Sequence, residues 1–137
     1  PYIEGTALLP FTTLHKRAFS WLGDRIFRAK PCTVDRGLQD GDVIDALGGL
    51  QVVHAPGHTP GCMALYQPER RVLFLGDVFF HRGEGVGLPP AVVTVDVDLA
   101  TASARKVAAL PAEVACFGHG EPILEDASER LGRAVAG

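Results

Sequence analysis

The stretch VVHAPGHTPG, Val52 to Gly61, runs from an apolar pair into two histidines set four residues apart among two prolines and two glycines. Glycine lets a chain turn sharply and approach a ligand closely, and proline stiffens the turn. An imidazole carried on such a turn is held in place before any ligand arrives. The apolar residues in front of it, Leu50 to Ala55, read as a strand leading directly into the turn. Two later stretches repeat the design: FLGD (74–77) and FGHG (117–120) each place an Asp or a His where an apolar run gives way to glycine. Strand ends are where a sheet presents side chains to a shared cleft. Histidine with aspartate, and no thiolate group beside them, suits zinc, iron or manganese rather than a structural Cys-rich zinc site.

Working outward, the chain reads as mixed α/β. Phe11, Leu14, Ala18, Trp21 and Leu22 fall on one helical face, so residues 11–22 are expected to form an amphipathic helix ended by Gly23. The segment CTVDRGLQDGDVIDALGGLQVVHA (32–55) alternates short apolar pieces with Asp-Gly and Gly-Gly, which predicts hairpin turns between strands. Met63 to Tyr66 and Val72 to Leu75 bracket QPERR and read as two more strands, the second apolar throughout and therefore central. HRGEGVGLPP (81–90) is a flexible loop by composition. Asp98 is expected to cap a helix in which Leu99, Ala100, Ala104, Val107 and Leu110 share a side, with Pro111 stopping it. Glu113 to Phe117 reads as a short strand and Asp126 to Ala136 as a closing helix.

Bulk properties narrow the class. With 137 residues, 47% of them hydrophobic, the chain can bury a core as one domain. A formal charge of −3 without a basic stripe argues against nucleic acid or an anionic membrane as partner and leaves small-molecule substrates open. Cys32, Cys62 and Cys116 are an odd, widely spaced set, which fits reduced thiols and a cytoplasmic setting better than a disulfide framework. No stretch is long and apolar enough to span a bilayer.

Taken in order, VVHAPGHTPG, RRVLFLGDVFF (70–80) and CFGHGEPI (116–123) resemble the later half of a metallo-β-lactamase fold hydrolase of the glyoxalase II-like kind, from about Asp40 onward. The resemblance implies an αββα sandwich of which this chain supplies the second half plus part of the first, a partial domain over 1–137. It implies His58 as a ligand of the first metal, Asp77 as the carboxylate bridging two metals and shaping catalysis, and His119 as a ligand of the second. His54 matches a position that is not a ligand. The family's earlier His-x-His-x-Asp-His motif is absent, the only histidine before position 54 being His15. Three ligands divided between two ions cannot close a binuclear centre. The expectation is therefore that Pro1 is a cut within a longer protein, that this chain alone is inactive and does not hold both metals, and that it self-associates or pairs with the missing N-terminal segment.

The implied cofactors are two divalent metals, zinc first, with iron or manganese as alternatives. Such a pair, about 3.5–4 Å apart, lowers the pKa of a shared water to about 7 and aims it at a carbonyl. The implied activity is hydrolysis of a thioester, ester, lactone or amide. Two other readings stay open: an iron-dependent oxidoreductase of the same fold, and a non-catalytic half-domain. Among the remaining candidates, His54 is expected to be a packed or hydrogen-bonded strand-end imidazole, His81 a solvated loop histidine and His15 a helix-rim residue. Cys62 and Cys116 read as small buried apolar groups without an activating base, and Glu84 and Asp96 have no assigned role.

Overall fold

Strands β1 (Val43–Ile44), β2 (Leu50–His54), β3 (Met63–Gln67), β4 (Val72–Phe74) and β7 (Val114–Cys116) hydrogen-bond in the order β1-β2-β3-β4-β7. The first four pair antiparallel, and β7 joins β4 in parallel. A computed structural model provides these coordinates and describes residues 33–83 and 85–136. The helix expected over 11–22, His15, Cys32 and Glu84 lie outside the described residues. From Leu38 onward the chain forms one compact unit.

Apolar alternation explains the sheet. In β2, Leu50, Val52 and Val53 are buried while Gln51 and His54 face solvent. Leu73, central in β4, is 0% exposed, as its apolar surroundings predicted. Helix α1 (Val97–Ala108) crosses from β4 to β7, the connection a parallel pair requires. It buries Ala100, Ser103, Ala104, Val107 and Ala108, a stripe at helical spacing. Helix α2 (Ala127–Ala134) contributes Ala127 and Leu131 to the same core, which runs through Val53, Ala64, Tyr66, Leu73, Leu75 and Ala115. Alanines at 64, 104 and 115, all 0% exposed, let helix and sheet approach closely. The mixed sheet with its helices is the α/β class expected. Among the described residues, no helix is long and apolar enough to cross a membrane.

Two local expectations are corrected. The capping residue of α1 is Asp96, whose carboxylate accepts from the Leu99 N–H at 2.9 Å; Asp98 lies inside the first turn. Starting the helix earlier turns Leu99 outward, 43% exposed, and the helix ends at Ala108, before Pro111. The segment 81–90 is not all loop. Strands β5 (Phe80–Arg82) and β6 (Gly85–Gly87) form a separate antiparallel hairpin, with His81 opposite Val86. Glycine-rich sequence hides such a pairing because backbone bonds, not side-chain alternation, define it.

Candidate metal centre

Direction along the sheet decides where the three motifs meet. Strand β2 runs antiparallel to β3, and β3 to β4, so β2 and β4 point the same way, and β7 follows β4. The carboxyl ends of all three strands therefore lie along one edge of the sheet. His58 follows β2, Asp77 follows β4 and His119 follows β7.

The loop carrying His58 is stitched to the start of α1. The Asp96 N–H donates to the Gly57 carbonyl at 3.0 Å, the Val95 N–H to the His58 carbonyl at 3.2 Å, and the Ser103 hydroxyl to the Pro56 carbonyl at 2.7 Å. Gly57 has φ +135°, and a Cβ there would lie 2.2 Å from the Ala100 nitrogen. Only glycine fits that position. At the next strand end, Gly118 donates its N–H to the Gly76 carbonyl at 2.8 Å, and a Cβ on Gly118 would stand 2.8 Å from Asp77 Oδ1. The glycine before His119 thus makes room for the carboxylate.

His58 Nε2 faces Asp77 Oδ2 at 3.8 Å, and His119 Nε2 faces Asp77 Oδ1 at 3.5 Å. The three residues singled out from the sequence are brought together, with Asp77 in the middle and one imidazole on each of its oxygens. Burial pushes the His58 pKa below its ordinary value, outweighing the Asp77 charge that raises it; the nearby His119 lowers it further. The net shift favours the neutral imidazole, the form with a lone pair to offer. Its Nδ1 is buried without a hydrogen-bond partner among the described residues.

Two imidazole nitrogens and a carboxylate are the donor chemistry of a divalent zinc, iron or manganese ion. The two imidazoles stand one on each oxygen of the carboxylate rather than around a single point. Among the described residues, no three His, Cys, Asp or Glu side chains converge on one point to hold an ion, which follows from His58 and His119 approaching opposite oxygens. Each half offers one imidazole and one carboxylate oxygen, short of the ligands a closed site needs.

The other histidines and the cysteines have defined surroundings. His54 shares a hydrogen bond between its Nε2 and the Pro60 carbonyl at 3.0 Å, away from Asp77, in line with the non-ligand reading. His81 is not a solvated loop residue. It lies half-buried on β5, its backbone N–H donates to the His119 carbonyl at 3.1 Å, and its Nδ1 bonds the Glu121 carbonyl at 2.5 Å. Cys62 is a half-buried thiol whose pKa is raised by burial and then by the Asp77 charge, while the Asp77 and Met63 N–H groups pull weakly the other way. It is protonated and no nucleophile.

Phe80 went unremarked in the sequence. Its ring lies 4.7 Å from that of His119 and 6.1 Å from that of His58, centre to centre, forming an apolar wall behind both imidazoles. The available signal was the FF pair that follows GDV, which reads equally as core.

The sheet thus belongs to an α/β architecture that places two histidines and an aspartate beyond the carboxyl ends of three of its strands. The family model of the metallo-beta-lactamase superfamily matches residues 6–119, and the chain belongs to that superfamily. The match begins well before Asp40, so the resemblance extends further toward the N-terminus than the motifs alone indicated. Hydroxyacylglutathione hydrolase of Brucella anthropi is 31% identical over 120 residues, covering 86% of this chain and 43% of that protein. The chain thus spans less than half the length of that relative. Among solved structures, the metallo-beta-lactamase family protein TTHA1429 of Thermus thermophilus superposes with TM-score 0.65 at 31% identity, covering 85% of this chain and 38% of that one. TTHA1623, solved in a di-iron-bound form, gives TM-score 0.61 at 29% identity, covering 90% and 61%.

Proposed function

We propose that this chain supplies one side of a two-metal hydrolytic centre acting on a thioester, ester, lactone or amide. The observation that carries the reading is the placement of His58 and His119 on opposite oxygens of Asp77. In this reading Asp77 is the bridging carboxylate and the residue that sets the spacing of the centre, His58 serves the first ion and His119 the second. Two bound divalent ions would supply a water acidified to neutral pH and an electrophilic contact for the developing oxyanion. Burial favours the neutral form of His58, Phe80 packs its ring against that of His119, and the Gly118 position leaves room for the carboxylate.

Zinc is the first candidate, and the di-iron form of TTHA1623 supports iron as the second. The remaining ligands would come from another segment of the protein or from a second copy, so self-association or pairing belongs to the same proposal, as does a cytoplasmic location. The test is metal titration with zinc and with ferrous iron of the protein completed by the segment or second copy that supplies the remaining ligands, read by elemental analysis, alongside thioester and lactone hydrolysis. The expected result is metal uptake that falls in Asp77→Asn, His58→Ala and His119→Ala, with hydrolysis tracking uptake. Uptake unchanged in all three variants would overturn the assignment. Oxygen consumption by the iron form without hydrolysis would favour the oxidoreductase alternative, and neither activity nor metal uptake the non-catalytic one.

A further inference from the structure

Two recesses flank the β5–β6 hairpin, and neither is used by the centre described above. One, of about 210 Å³, is lined by Phe80, Arg82, Val86 and Leu88 among others. The other, of about 290 Å³, is lined by Val86, Arg130, Arg133 and Ala134, where α2 packs beside β6. Val86 belongs to both. Phe80 connects the first recess to the centre, because its ring is in contact with the His119 imidazole and carries the Arg82 guanidinium 5.3 Å from its centroid. A row of neighbouring side chains thus runs from His119 through Phe80 and Arg82, over Val86, to a pair of arginines one helical turn apart.

We propose that this path seats the non-reacting arm of the substrate and that the arm ends in a phosphate held by Arg130 and Arg133. The inference rests on the hydrolase reading and names its substrate class: a thioester whose thiol portion bears a phosphate. The choice of phosphate over carboxylate follows from oxygen count and charge. One guanidinium fork already uses both oxygens of a carboxylate, whereas two forks match the three terminal oxygens and double charge of a phosphate monoester. Arg133 pairs with Glu129 one turn away on α2, both groups being well exposed. An exposed pair of that kind contributes little, so exchanging the carboxylate for a phosphate costs little. The apolar flank of Val86 between the recesses suits an uncharged stretch of the arm, and the volume beyond it exceeds what a bare anion needs.

The first experiment needs no metal. Inorganic phosphate is titrated into the protein at constant ionic strength, with acetate as the comparison, and the Val86 and Ala134 methyl resonances are followed. Phosphate should give saturable shifts and acetate none. Arg130→Gln and Arg133→Gln should each weaken phosphate by about tenfold or more, the effect of losing one charge-assisted contact, while Arg70→Gln, on an exposed turn and lining neither recess, leaves it unchanged. Equal shifts with acetate, no saturable shift with phosphate, or equal weakening by Arg70→Gln would overturn the proposal. Unchanged methyl dispersion reports that the variants fold, and the phosphate–acetate contrast in the unmodified protein decides the matter if one does not. A second experiment separates this inference from the reading beneath it. Metal-loaded protein, completed by the segment or second copy that supplies the remaining ligands, is assayed on an acyl thioester of pantetheine and on the same thioester of its phosphate ester. A lower KM for the phosphorylated thioester, raised about tenfold by Arg133→Gln, supports both ideas. Equal kcat/KM for the two thioesters, unaffected by Arg133→Gln, overturns the phosphate arm and leaves the hydrolase. Phosphate binding with no hydrolysis of either leaves the recess as a phosphate site and removes the hydrolase.

Discussion

Replacing Gly57 by alanine tests the idea that the His58 loop is shaped by its backbone rather than by its polar side chains. The φ of +135° is one that a residue with a Cβ adopts only under strain, at a cost of about 1–3 kcal/mol. The new Cβ would also fall 2.2 Å from the Ala100 nitrogen and 2.3 Å from its Cα, both part of a helix backbone that cannot step aside. Overpacking adds about 1–3 kcal/mol. The strain is relieved only by lifting the loop off α1, which breaks the Asp96 to Gly57 and Val95 to His58 hydrogen bonds. A loss of about 3 kcal/mol, with a urea m-value of about 1.5 kcal/mol per molar, lowers the unfolding midpoint by about 2 M. Gly61→Ala is the internal control: it lies in the same motif, has no positive φ, and would find nothing within 4 Å of its Cβ. It should move stability by no more than about 0.5 kcal/mol. Urea unfolding followed by circular dichroism makes the measurement. A Gly57→Ala midpoint within about 0.5 M of the unmodified protein, or a Gly61→Ala loss of the same size as that of Gly57→Ala, would refute the argument.

The side chain of His81 holds the loop that follows His119 through the Glu121 carbonyl, so His81→Phe should loosen that loop and weaken metal retention, although the backbone bond to the His119 carbonyl is kept. His81→Asn, which keeps an N–H for the Glu121 carbonyl, should recover part of it in a competition titration against a chelator. Asp96→Ala removes the cap of α1 and should cost about 1 kcal/mol in thermal or urea unfolding, whereas Asp98→Ala should cost less than half of that. The carboxyl of Asp40 is held below the usual aspartate range, first by hydrogen bonds from Lys106 at 2.9 and 3.0 Å and then by the His54 N–H. A depressed carboxylate stabilises the fold above its unfolded pKa, and the contribution disappears as pH falls through the folded value. Lys106→Met should therefore lower stability at pH 7 by no more than about 1 kcal/mol, because both partners are about half exposed. The difference should close below about pH 4 and shrink in high salt; a gap that persists at pH 2 would contradict it.

How much the amino-acid sequence revealed depends on where each property resides. His58, Asp77 and His119 were legible because their signal is local: an apolar run, a glycine, and a polar residue between them. The strands Leu50–His54 and Met63–Gln67 were legible through their apolar pattern, to within a residue or so. The β5–β6 hairpin was not, since Phe80, His81 and Arg82 face Gly87, Val86 and Gly85 in turn, a pairing in which two of the three partners have no side chain to alternate. Asp96 and Asp98 are equally good caps by residue type; what selects Asp96 is the tie of its N–H to Gly57, a contact thirty-nine positions away in the chain. The roles of Phe80 and His81 escaped for the same reason, as each depends on a loop about forty residues further on.

The parity of the sheet accounts for why three separated motifs can act together at all. Two antiparallel steps, β2 to β3 and β3 to β4, restore the original direction, and the crossover through α1 preserves it in β7. Any odd number of reversals would have sent one of the three motifs to the far edge, a strand length away from the other two. The β3 strand, whose own ends carry no metal-type donor within the motif set, is therefore necessary as a spacer: it returns the chain so that β4 can run in the sense of β2. Its interior is fixed accordingly, with Ala64 fully buried beneath the helices and the Tyr66 hydroxyl donating to the Pro111 carbonyl at 2.7 Å, just ahead of β7. That bond ties the spacer to the segment delivering His119. Changes in β3 should consequently disturb the relation between His58 and His119 before they disturb either loop alone, and Tyr66→Phe, which removes the bond and keeps the ring, is the substitution in which coupling between fold and centre is most directly measured, as a loss of metal affinity exceeding the loss of stability.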